Sequence, residues 1–189
     1  MKELIMEPKE IRYYLDSHND SQSITTQIEE SLCLQYQAYR KMDLGELESS
    51  LVSQANWGNR HHLVSAQQLG ITISEGDICF LDYGLGYLKE AGYQHFGLIL
   101  SFCYGKAFVI PMTSNQVTYQ QAYSVTNPLG KKHLFPLGII PGLNKRSVLF
   151  LNDGKYLNTA RIIAIKAHLD PAGSLYKEIK ERVKECLKL

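Results

Sequence analysis

Several residues in the C-terminal half of the chain are of types that move protons and hold anions. His95 stands at the entrance of an apolar run, and Thr113 with Ser114 stands at the exit of the next one. A histidine titrates near neutral pH, so it can take a proton from a hydroxyl or return one to a leaving oxygen. Threonine and serine hydroxyls donate hydrogen bonds to anionic oxygens. Lys155 and Arg161 follow later in the chain and supply fixed positive charge. Lys131, Lys132, Lys145 and Arg146 are loop cations, of the kind that contact phosphates in nucleic-acid readers. Tyr83, Tyr87, Tyr93 and Phe96 cluster around the same loops, and exposed aromatic rings stack unpaired bases. Each residue also has a plainer reading. A lone histidine at a strand start is ordinarily a surface or hydrogen-bonded group, a strand-end threonine satisfies local backbone, and most tyrosines in a small domain simply pack.

The elements that position these groups lie mainly between Gly76 and Ser114. Ile78 with Phe80, the run Gly97 to Leu100 and the run Lys106 to Met112 are strand-length apolar segments. Gly76, Gly84, Gly86, Gly92 and Gly105 punctuate them, as expected of consecutive antiparallel strands. Further strands are expected at Leu134 to Leu137, Ile139 to Ile140, Ser147 to Leu151 and Ile162 to Ile165, with a turn at Asp153-Gly154. Asp170-Pro171 reads as a helix start, and Leu175, Ile179 and Val183 give the helix an apolar face. Upstream, a short helix is expected at 8–17, a longer one from about Thr26 (with Glu29 completing a capping box) and another from Asp43. Trp57 to Ser74 reads as a linker. His61 and His62 within it are adjacent and lack a third ligand at metal-binding spacing. The expected architecture is α+β, with a small, strongly twisted antiparallel sheet or barrel at its centre: a helical N-terminal extension and linker over 1–75, and a β domain with a C-terminal helix over 76–189.

Composition narrows the function. The chain has 189 residues, 44% hydrophobic and 21% charged, the balance of a soluble globular protein. It carries no apolar run long enough to span a bilayer and no signal-peptide core, so a cytoplasmic protein without membrane association is expected. Cys33, Cys79, Cys103 and Cys186 form no CxxC pair, which speaks for reduced thiols and against a disulfide or metal framework. Net charge is +1 but unevenly spread. Residues 1–76 hold six Lys/Arg against eleven Asp/Glu, and residues 77–189 hold fourteen against eight. An acidic N-terminal part is joined to a basic C-terminal part.

Three stretches in this order resemble the MazF/PemK-type toxins, the endoribonuclease halves of bacterial toxin–antitoxin pairs. They are GDICFLDYG, then YQHFGLILS with AFVIPMTS, then VLFLNDGKYLNTARI, covering about residues 76–169. The resemblance implies an SH3-like barrel, usually a homodimer, that cleaves single-stranded RNA without a metal or other cofactor. It also implies attack of the 2′-hydroxyl on the adjacent phosphate, and an antitoxin protein as partner. By position His95 stands where the family commonly has an Arg, Thr113 matches its catalytic Ser/Thr, and Arg161 falls on its late Arg, a structural anchor. Catalysis is then expected from His95 and Thr113. Substrate contacts are expected from Ser114, Lys155, Tyr83, Lys131 and Lys132. The His for Arg is a departure: it trades a fixed cation suited to stabilising a phosphorane for a group suited to proton transfer.

Two alternatives stand beside this. GDICF followed by HFGLIL is also similar to the NlpC/P60 cysteine peptidases, which would pair Cys33 with His95. However, SLCLQYQ lacks the context that exposes that family's nucleophile. An SH3-like barrel can also bind RNA or protein without cleaving anything. The acidic N-terminal helices would either lie over the basic face or extend a dimer interface.

Overall fold

A computed structural model describes residues 21–188, and the helix expected at 8–17 lies outside them. The chain falls into two compact units, residues 1–47 and 48–189. The first contains helix α1 (Ser21–Tyr39). It begins before Thr26 because its apolar spacing reaches back to Ile24, four residues ahead of Ile28. Thr26 is therefore interior to the helix, and no capping box forms there. Ile28, Leu32 and Tyr36 on this helix are exposed. Helix α2 (Leu44–Arg60) starts where expected, the Asp43 carboxylate accepting the Glu46 amide at 2.9 Å.

The second unit is built on seven antiparallel strands. These are β1 (Asp77–Asp82), β2 (Gln94–Cys103), β3 (Lys106–Thr113), β4 (Leu134–Gly138), β5 (Ser147–Phe150), β6 (Lys155–Asn158) and β7 (Ile162–His168). A short helix α3 (Gln116–Gln120) follows β3, and helix α4 (Ser174–Leu187) ends the chain. The ladder runs β4-β5-β3-β2-β1-β7, with β6 pairing the first half of β3. The chain leaving β4 turns back onto β7, where a Cβ on Gly142 would meet the Lys166 carbonyl at 2.5 Å. The two ends of the sheet are thus drawn together without a ladder between them. The fold is α+β, as the order of patterns implied, and Ile139–Ile140 belongs to this returning loop rather than to a strand.

Both faces of the sheet are buried. One carries Ile78, Leu98, Ile110 and Leu149, joined by Leu151 just past β5, against Tyr176, Ile179 and Val183 of α4. The Tyr176 hydroxyl donates to the Leu100 carbonyl at 2.7 Å, so the helix is tied as well as packed. The other face carries Cys79, Leu81, Tyr83, Ile99, Val109 and Ile162. Burial pushes the Cys79 thiol up to about 12, with Asp77 adding to the shift, so it is an inert packing group.

Two boundaries differ from expectation. α2 continues through Trp57 to Arg60, and the stretch read as a linker is packed. The Ala66 amide donates to Thr159 Oγ1 at 2.9 Å, and Asn158 donates to the Leu63 carbonyl at 3.0 Å. Helix α4 begins at Ser174, not at Pro171. The Asp170 carboxylate accepts the Ala172 amide at 2.9 Å and closes a turn instead of capping a helix.

Ile179 is 0% exposed at the centre of the α4 contact. Ile179→Ala is expected to cost about 2–4 kcal/mol of unfolding free energy with an unchanged denaturant slope, measured by urea titration. A loss near zero would show that α4 is not part of the core.

Candidate functional site

The start of β2 and the end of β3 bring two of the expected residues together. Phe96 pairs with Met112 across the ladder, and one further step sets His95 opposite Thr113, on the same face. A register shift between Ile99 and Ser101 makes this so; without it His95 would face Ser114. Gly97 lies next to His95 on that face. A Cβ there would meet Tyr83 Oη at 2.3 Å and Val109 Cγ1 at 2.5 Å, so only glycine lets β1 and β3 close over the strand.

His95 is exposed, and its Nδ1 lies 2.7 Å from the Gly92 carbonyl. A carbonyl only accepts, so Nδ1 carries the hydrogen, and in the neutral ring Nε2 keeps its lone pair for a substrate. Thr113 is half-buried. Its Oγ1 accepts the Asn115 amide at 3.2 Å and keeps its own proton to donate. Thr113, Ser114 and Lys145 line one small cavity of about 70 Å3. Lys145 is the cation on the wall of this cavity, although sequence reasoning treated it only as a loop charge.

The loop before His95 is held by Asp153, read from the sequence as part of a turn, and by Lys155, read there as a substrate contact. Asp153 accepts the Ala91 amide at 2.6 Å, and Lys155 donates to the Ala91 carbonyl at 3.1 Å. Lys155 is also paired with Asp153 at 3.3 Å and, more loosely, with Glu90 at 3.9 Å. Gly86 and Gly92 close the neck of the loop backbone to backbone: a Cβ on Gly86 would lie 2.9 Å from Gly92 Cα.

The other expected residues sit elsewhere. Tyr83 is 7% exposed, so its ring has no free face for a base. Its hydroxyl has no hydrogen-bond partner among the described residues, and burial pushes its pKa upward. Arg161 donates to the Asp82 carbonyl at 3.1 Å. Lys131 and Lys132 are exposed, and Lys131 donates to Gln121 Oε1 at 2.7 Å. Cys33 is exposed on α1. Among the described residues, no group of three or more His, Cys, Asp or Glu is placed to hold a metal, and no helix is long and apolar enough to cross a membrane.

Behind β1 and β2, Asp82 is a buried carboxylate with a full set of donors. Ser53 Oγ and the Gly84 amide reach Oδ1 at 2.7 and 2.8 Å, and Asn56 Nδ2 and Gln94 Nε2 reach Oδ2 at 2.6 and 3.3 Å. Burial alone would raise its pKa. The bonds from Asn56, Ser53, Gly84 and Gln94 outweigh burial and hold it below the ordinary 3.8. Gln94 directly precedes His95, so this cage fixes where the second strand begins.

No family model and no curated protein matches the chain. Among solved structures, it is similar to the Mycobacterium tuberculosis toxin MazF-mt6, at 15% identity over 60% of this chain and 97% of that one, with a TM-score of 0.42. It is also similar to MazF (Form-I) from Deinococcus radiodurans, at 16% identity over 63% and 99%, with a TM-score of 0.47. A MazE–MazF structure (Form-II) from the same organism gives 16% identity over 63% and 98%, with a TM-score of 0.44. These names are those of the toxin family that the three sequence stretches resemble.

A carboxyl whose folded pKa is depressed stabilises the fold above its unfolded value, and the contribution is lost as pH falls through the folded one. Asp82→Asn is therefore expected to cost about 2 kcal/mol or more at pH 7. The gap from wild type should shrink as pH drops below about 4. Urea unfolding of both proteins between pH 7 and pH 2.5 checks this, and a gap independent of pH would exclude Asp82 as a charged anchor.

Proposed function

We propose that the protein is a metal-independent endoribonuclease of the MazF/PemK toxin type, acting on single-stranded RNA. The observation that carries this reading is the opposition of an exposed His95, its Nδ1 committed to a backbone carbonyl, and the Thr113 hydroxyl. His95 Nε2 takes the proton of a ribose 2′-hydroxyl. The 2′-oxygen forms a bond to the adjacent phosphorus as the bond to the 5′-oxygen breaks. The departing oxygen takes a proton from solvent, leaving a cyclic phosphate and a free 5′-hydroxyl. Thr113 and Ser114 donate to the non-bridging oxygens, where charge builds in the transition state. Lys145 supplies positive charge beside them, because Lys155 is already shared between carboxylates and a carbonyl. Lys131, Lys132 and Arg146 contact phosphates further along the strand. The reading extends to a cytoplasmic homodimer restrained by an antitoxin protein, as the motif resemblance implies.

A second reading, an RNA-binding module without cleavage, is favoured by the same state of Lys155, which leaves no unpaired cation on β6 beside the histidine.

Purified protein incubated with a long unstructured RNA in EDTA is expected to give discrete fragments ending in cyclic phosphate. His95→Ala should slow cleavage by about 10²–10⁴-fold, and Thr113→Val by about tenfold or more. RNA retained but uncut by wild type would favour the binding module. Equal cleavage by wild type and His95→Ala would remove His95 from the mechanism.

A further inference from the structure

A second cavity, of about 470 Å3, opens between the C-terminal half of α2 and the segments around Asp82 and Arg161. Its size is that of a site for a drug-sized or nucleotide-sized ligand. Three of its side chains follow helical spacing i, i+3 and i+4: Trp57 and Arg60 on the last turn of α2, and His61 immediately after it. The His61 ring stacks on the Trp57 indole at 4.8 Å between centroids and 25° between planes, while the indole stays 66% exposed. That is a ring platform held flat and still presented to solvent.

The cavity also has two oriented cations. Arg60 Nη1 donates to the Ile162 carbonyl at 3.0 Å and the Ala160 carbonyl at 3.3 Å, and Arg161 Nη1 donates to the Asp82 carbonyl. Each guanidinium is thus anchored through one nitrogen. Among the described residues, neither is ion-paired with a carboxylate. The one carboxylate in the cavity, Asp82, is already satisfied by its four donors. The remaining charge is positive, on planar groups suited to bidentate recognition of phosphate. A platform that takes a ring beside cations that take a phosphate describes one class of ligand.

We propose that this cavity binds a nucleotide, its base on Trp57 and its phosphate between Arg60 and Arg161. The chemistry is shared by a nucleotide unit within an RNA strand and by a free nucleotide. The strand form rests on the ribonuclease reading, and geometry connects the two sites. The loop that opens at Gly84 and Leu85 on the cavity wall closes at Gly92, whose carbonyl holds His95. A strand passing His95 therefore has a second station, for one base and its phosphate, where the same loop begins.

Trp57 is the only tryptophan of the chain, so indole fluorescence, excited beyond the tyrosine absorption band, reports on this cavity alone. The full chain is titrated with adenosine, with adenosine and uridine 5′-monophosphates, and with a 2′-O-methyl RNA oligonucleotide, which lacks the attacking hydroxyl. Saturable quenching is expected. Loss of the phosphate (adenosine against its monophosphate) or Arg60→Gln should each weaken it about tenfold, the worth of one charge-assisted contact. Quenching should persist in His95→Ala, so it is read even where cleavage is nil. An oligonucleotide that binds more tightly than the monophosphates identifies a strand as the occupant, and equal affinities identify a free nucleotide. The proposal is overturned, whether or not RNA is cut, by absent quenching with every probe. It is equally overturned by quenching indifferent to both the phosphate and Arg60→Gln.

Discussion

One buried charge holds the second unit in register. Asp82 ends β1, and its carboxylate gathers donors from α2, from the loop beyond it and from the first residue of β2. A carboxylate removed from water is costly unless its lone pairs are filled, and here they are. The constraint acts in two directions. It obliges α2 to lie against the sheet by presenting Ser53 and Asn56, although that face of the helix has little apolar surface. It also obliges Gln94 to stand where it does, and so fixes the entry of β2. The position of His95 and the shape of the Trp57 cavity both follow from the same satisfied anion.

Around His95 the support is made of backbone. The histidine spends one ring nitrogen on the Gly92 carbonyl, and Asp153 and Lys155 hold the two polar groups of Ala91, one position before it. A ring tied to main chain cannot swing without moving the loop, and the loop cannot move without breaking bonds to β6 and the turn before it. Preorganisation of this kind lets a side chain remain exposed and still point in one direction.

Much of the architecture was legible because it rests on short-range patterns. Alternation and glycine punctuation placed β1 and β3 to within a residue or two and β2 to within three at each end, and the terminal helix followed from Leu175, Ile179 and Val183. The opposition of His95 and Thr113 was legible only as two strand ends. Which hydroxyl faces the ring depends on the irregularity near Leu100, and a one-residue slip of a ladder leaves no trace in composition. The Asp82 cage was not legible at all: Ser53, Asn56, Gln94 and Asp82 are polar residues far apart in sequence with no shared motif. For the same reason Trp57 to Arg60 read as linker. This end of the helix is held by hydrogen bonds from the Arg60 guanidinium to the Ala160 and Ile162 carbonyls, and apolar periodicity is blind to these. Asp170-Pro171 misled in the opposite way, since a short acid before proline serves a turn as readily as a helix start.

The contact of Gly86 with Gly92 turns the intervening residues into a ring with a fixed base. Tyr87 and Leu88 stand almost fully in solvent above it. Because closure is secured at the neck, lengthening or recomposing the tip adds only a slowly growing entropic cost and sends no strain down to Gly92. The fold therefore carries an interchangeable fingertip. A change at the tip alters what the loop touches in solvent, while the histidine beneath it keeps its bond to the Gly92 carbonyl.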